Sequence, residues 1–144
     1  MRTALIVLAL LGAFLAPNFL RGDWAAQAEA VEERPRLVAA MFRSSWCGAC
    51  RILEPRIDDV RPEYADAAIE FIRFDFTLGQ RERVRELAVE ADITELYDEL
   101  VGRTGFLVLM DRETGTVFEI ITTNYDRDHI REAFDRWLAI TTAT

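Results

Sequence analysis

The chain has 144 residues, of which 51% are hydrophobic, with 17 basic against 25 acidic side chains and a formal charge of −8. That length supports one cored domain and is too short for two, and the acidic balance excludes nucleic acid as a partner. All 17 basic residues are arginines, which excludes Schiff-base chemistry on a lysine.

Arg2 gives the chain a charged start, Ala4 to Ala16 is an unbroken apolar run, and Pro17 and Asn18 end it. This is a signal-peptide pattern, and the small residues of Ala26-Gln-Ala28 and Ala28-Glu-Ala30 suit cleavage after Ala28 or Ala30. The run has about 13 residues where a bilayer-spanning helix needs roughly 20. The expected organisation is therefore a signal peptide over 1–28 and one domain over 29–144, periplasmic or otherwise exported. The alternative is an uncleaved anchor reaching Leu20. Residues Ala25 to Glu33 read as one more helix, ended by Pro35, or as a tail.

Leu37 to Phe42 is a continuous apolar run, the pattern of a strand covered on both faces. The segment Trp46-Cys-Gly-Ala-Cys50 follows, and Leu53, Ile57, Val60 and Tyr64 then fall on one helical face, so a strand feeds a helix at the cysteines. Ile69 to Phe76 is a second strand. After Gly79, Val84, Leu87, Ala88 and Ala91 line a helix. Asp92-Ile-Thr-Glu95 reads as a capping box that opens a short helix, Ile93 to Val101, closed by Gly102. Phe106 to Met110 and Val117 to Thr122 are strands joined by the turn Asp111-Arg-Glu-Thr-Gly115, and Ile130, Ala133, Phe134, Trp137 and Leu138 mark a terminal helix. The order β-α-β-α-α-β-β-α predicts an α/β domain, a mixed four-stranded sheet flanked by helices on both faces.

Both cysteines fall in one C-x-x-C. Such a pair closes too small a loop to staple a fold, and reads as a reactive dithiol. The same sulfurs also fit metal delivery, copper included, or an inert disulfide. A thiolate is the attacking species in disulfide exchange, and the unpaired N–H groups of a helix start stabilise it. With the helix starting near Ala49, Cys47 falls at the exposed mouth as nucleophile and Cys50 inside the first turn as resolving thiol. Gly48 and Ala49 leave room for a protein substrate. A four-ligand metal site cannot be completed within the chain, because the other likely ligand is His129, which reads as a solvated or capping residue. Arg43 and Ser44 read either as stabilisers of the thiolate or as ordinary solvated loop, and the acidic clusters at Asp58-Asp59 and Glu95 to Glu99 as solvated helix faces.

Trp46-Cys-Gly-Ala-Cys50, with Pro55 five residues on, resembles the W-C-G-x-C signature and helix-bending proline of the thioredoxin family, and the resemblance covers roughly Arg36 to Leu138. It implies a thioredoxin-like fold, Cys47 as nucleophile, Cys50 as resolving cysteine and Trp46 as a packing lid. It also implies a substrate surface of Trp46, Gly48, Ala49, Thr104 and Gly105, and no bound cofactor. The partners implied are protein thiols and disulfides, with a membrane-borne electron donor or acceptor. The missing His between the cysteines favours a reductant over an oxidant.

Three positions depart from the family. Met41 stands where the family has a buried carboxylate six residues before the first cysteine, and Phe71 where that acid's lysine partner belongs. With both gone, Cys50 has lost the family's proton acceptor, and slow resolution of mixed disulfides is expected. No proline follows Pro62, so Gly105, after Thr104, takes the place of the family's cis-proline. The loop is expected to be trans. It is also expected to open the site beside the sulfurs, even to a metal, with the helix after Asp92 as one wall of a substrate groove.

Overall fold

The computed structural model describes residues 34–143. The signal-peptide and 25–33 readings lie outside those residues. The elements are β1 (Leu37–Arg43), α1 (Gly48–Val60) continued by a 3-10 turn (Arg61–Tyr64), β2 (Ile69–Asp75), α2 (Arg81–Glu90), α3 (Thr94–Leu100), β3 (Phe106–Asp111), β4 (Val117–Ile121) and α4 (Arg127–Thr142). They follow the order the apolar periodicity predicts.

The sheet runs β2-β1-β3-β4. β1 is parallel to β2, antiparallel to β3, and β3 is antiparallel to β4. Because successive strand residues face opposite sides, β1 divides its apolar run between two cores. Leu37, Ala39 and Met41 pack with Leu53, Ile57 and Phe134 under α1 and α4. Val38, Ala40 and Phe42 pack with Phe74, Val84 and Tyr97 under α2 and α3. Phe42 anchors the second layer, its ring centroid 5.0 Å from Phe74 and 5.2 Å from Phe106.

Two details differ from the local sequence signals. Asp92 does not open α3. It takes φ 58° just past α2, where its amide donates to Val89 O and the Ile93 amide to Ala88 O. Those bonds close a Schellman motif with Asp92 in the position glycine usually fills, and α3 begins at Thr94 after Ile93, which gives it no side-chain cap. Leu87 is exposed because α2 turns only Val84 and Ala88 inward.

Asp111, at the end of β3, is buried and accepts from Arg36 Nη2 at 2.6 Å and from the Glu113 amide at 2.9 Å. The Arg36 bond outweighs burial and holds the carboxyl below the usual aspartate range. A depressed folded-state pKa contributes stability that is complete above the unfolded value of about 3.9 and is lost as pH falls through the folded one. Asp111→Asn is therefore expected to cost about 2 kcal/mol in urea unfolding at pH 7. The gap from the parent closes below about pH 4; a gap constant with pH would show that charge plays no part.

Candidate active site

The chain leaves the sheet at Arg43 and enters α1 at Gly48, so the intervening loop delivers Cys47 to the helix start. Cys47 is the N-cap of α1: with φ −80° and ψ 114° it stands outside the helix, and its Sγ accepts the Cys50 amide N–H at 3.1 Å. A sulfur in this place receives one of the amides a helix start leaves unpaired, as well as the positive end of the dipole. The two cysteines are joined in a disulfide with Cα atoms 5.3 Å apart. Cys50, 1% exposed, is the inner member of the pair.

The expected exposed mouth is corrected: Cys47 is only 7% exposed. Gly105 closes over it. Its amide donates to Phe42 O at 2.8 Å, and its φ of 101° brings the loop's backbone onto the cysteines. A Cβ built on Gly105 would lie 2.8 Å from Ala49 Cβ and 3.4 Å from Cys47 Sγ. The loop is trans, as expected, but the missing proline does not open the site; the glycine lets the backbone pack down where a side chain would collide. Thr104, half-buried, adjoins this contact, and Gly48 lies on the open side, where an added Cβ would meet nothing within 4 Å.

Trp46 is not a lid either. It stands 62% exposed, because the Cys47 amide turns back to Ser44 O and the Ser45 amide is held by Thr77 Oγ1 at 2.9 Å. Ser44, read as possible solvated loop, is buried. Arg43 is tied down as well, with Nε 2.8 Å from Glu54 Oε1 and Nη1 on Asp75 Oδ2. Burial works against the Asp75 carboxylate, but Thr77 and Arg43 outweigh it and hold its pKa below the usual value. The helix after Asp92 buries Leu96 and Tyr97 in the second core, and the groove it lines, with Thr94 and Glu99, opens against Met110 and Arg112 rather than the cysteines. A groove of about 600 Å³ beside the tethered loop is lined instead by Ser45, Thr77, Leu78, Arg83 and Leu87.

Met41 and Phe71 are apolar in function as in sequence, with Phe71 edge-on to Phe134 at 5.6 Å. His129 is exposed at the start of α4, its Nδ1 2.8 Å from the Asp126 cap. Asp58 pairs with Arg73, Asp59 with Arg127 and Asp98 with Arg85, all at the surface. Among the described residues no three or more His, Cys, Asp or Glu are grouped to hold a metal. Sequence reasoning passed over Glu54, Thr77 and the contact of Ala49 with Gly105. Of these, Glu54 carried a usable signal, standing four residues after Cys50 on a predicted helix.

A mixed sheet with a cysteine pair at a strand-to-helix junction defines a dithiol-disulfide domain of thioredoxin-like fold. The family description Thioredoxin matches residues 23–94, half of the chain, and the protein belongs to the thioredoxin family. Thioredoxin H4 of Arabidopsis thaliana is 31% identical over 55% of this chain and 71% of its own length. Thioredoxin H8 of the same plant is 31% identical over 37% of this chain and 34% of its own length, so the match spans about a third of that relative. The X-ray structure of Fasciola hepatica thioredoxin is similar at 22% identity, covering 78% of this chain and 92% of that one with a TM-score of 0.46.

Proposed function

We propose that the protein is an exported thiol-disulfide oxidoreductase that exchanges disulfides with other proteins and works as a reductant. The observation that carries this reading is the 3.1 Å bond from the Cys50 amide to Cys47 Sγ. An N–H already aimed at the sulfur stabilises the thiolate without reorganisation when the disulfide opens, and thiolate is the species that attacks. Family membership supports the same chemistry.

In the reducing cycle the Cys47 thiolate attacks a substrate disulfide and forms a mixed disulfide. Cys50 then attacks Cys47 Sγ, releasing the substrate as a thiol and leaving the 47–50 disulfide. A protein as substrate is supported by the exposed Trp46 next to Cys47, Ile52 two residues after Cys50, and Leu78 on the Thr77 segment bonded to Ser45. Export rests on the Arg2 to Ala30 pattern, and an exported reductant draws its electrons from a donor in the membrane.

The purified domain is expected to accelerate insulin reduction by a small dithiol, with a reduction potential near the roughly −270 mV of a reducing thioredoxin. A potential near about −120 mV would reverse the direction, and no acceleration would reject the enzyme.

A further inference from the structure

Resolution of the mixed disulfide requires Cys50 to lose a proton in a site that offers little to receive it. Its sulfur lies 4.0 Å from the Phe42 carbonyl oxygen, which already accepts the Gly105 amide and is too weak a base to take a proton. Met41 and Leu53 around it are buried and apolar.

Glu54 stands one helical turn after Cys50, and helical side chains lean towards the N-terminus, so i and i+4 share a face with the later residue reaching back over the earlier. Its side chain is 15% exposed, whereas that of Asp58, a further turn along, is 45% exposed. Glu54 also borders a cavity of about 40 Å³ between α1 and the sheet, whose apolar lining includes Met41, Phe71 and Leu107. That is the space beneath the two positions where the family's acid and lysine are missing.

The groups facing the Glu54 carboxylate are Arg43 from β1, Arg73 from β2, and Asp58 and Arg61 along its own helix and the turn after it. Arg43 is shared with Asp75, so its guanidinium is not committed to Glu54 alone.

We propose that Glu54 is the proton acceptor for Cys50, supplying from the helix the function the strand has lost. The proposal rests on the oxidoreductase reading above. The carboxylate takes the proton of Cys50 Sγ–H, directly or across one water. The thiolate then attacks Cys47 Sγ: the 47–50 bond forms, the bond from Cys47 to the substrate sulfur breaks, and the substrate leaves as a thiolate with the electron pair. Glu54 returns its proton to solvent at its exposed edge.

The test uses the reduced protein and an aryl disulfide that yields one coloured thiolate when Cys47 attacks and a second when Cys50 resolves. Glu54→Gln keeps the shape of the side chain but cannot take a proton. It is expected to leave the first release at the parent rate and to slow the second at pH 7 about 10- to 100-fold, with its pH profile moved upward. Glu54→Asp is expected to recover part of the second rate. A second release in Glu54→Gln with the parent's rate and pH profile overturns this proposal alone. Absence of the first release from the parent overturns the oxidoreductase reading and this one with it.

Discussion

Cys47→Ser is expected to abolish insulin reduction, lowering the rate roughly 10³-fold or more, the scale at which removing a nucleophile is felt. The substitution separates chemistry from architecture. Serine is itself a favoured N-cap, so the hydroxyl can accept the Cys50 amide as the sulfur does and α1 keeps its start. Compared in the reduced state, the variant and the parent should melt within a few degrees of each other while differing wholly in activity. Cys50→Ser should behave differently: it attacks substrate once and stops as a covalent Cys47 adduct visible by intact mass. If Cys47→Ser retained turnover, or if Cys50→Ser accumulated no adduct, the order of attack given to the two sulfurs would be wrong.

Gly105→Ala is expected to destabilise the domain by about 2–4 kcal/mol, combining an L-residue forced to positive φ with overpacking against the cysteine loop. The steric share belongs to a single contact, the 2.8 Å approach to Ala49 Cβ. A double-mutant cycle isolates it: adding Ala49→Gly should recover about 1–2 kcal/mol, while the share due to φ 101° remains. Denaturant midpoints give both numbers. Strict additivity of the two changes would mean that Ala49 and Gly105 are not in contact in solution. Gly105→Pro should fare worse than alanine, because it also removes the N–H that bonds to Phe42 O.

The strands and helices were legible because burial on both faces leaves a plain mark. Leu37 to Phe42 and Phe106 to Met110 are apolar without interruption, and each is split between two cores. The cysteine pair was equally plain, since a C-x-x-C where a strand meets a helix has few other uses. What stayed hidden depends on partners distant in sequence or on hydrogen bonds that side-chain patterns do not record. Asp92 carries the letters of a cap, yet the carbonyls of Ala88 and Val89 claim the amides around it for the end of α2. Trp46 looks like a lid until Thr77 is seen to fix the residue before it. The burial of Cys47 follows from Gly105, whose contact no reading of the motif alone reaches. Arg43 and Glu54 meet across β1 and α1, a pairing that neither position announces in the sequence.

The segment from Thr77 to Gly105 leaves the sheet at a bond to Ser45 and re-enters it at a bond to Phe42. Both fastenings flank the cysteine loop, so this excursion is a cassette clipped to the redox centre at its two ends. Its middle, α2 and α3, packs under one face of the sheet, so the two clips couple the position of that layer to the geometry around the sulfurs.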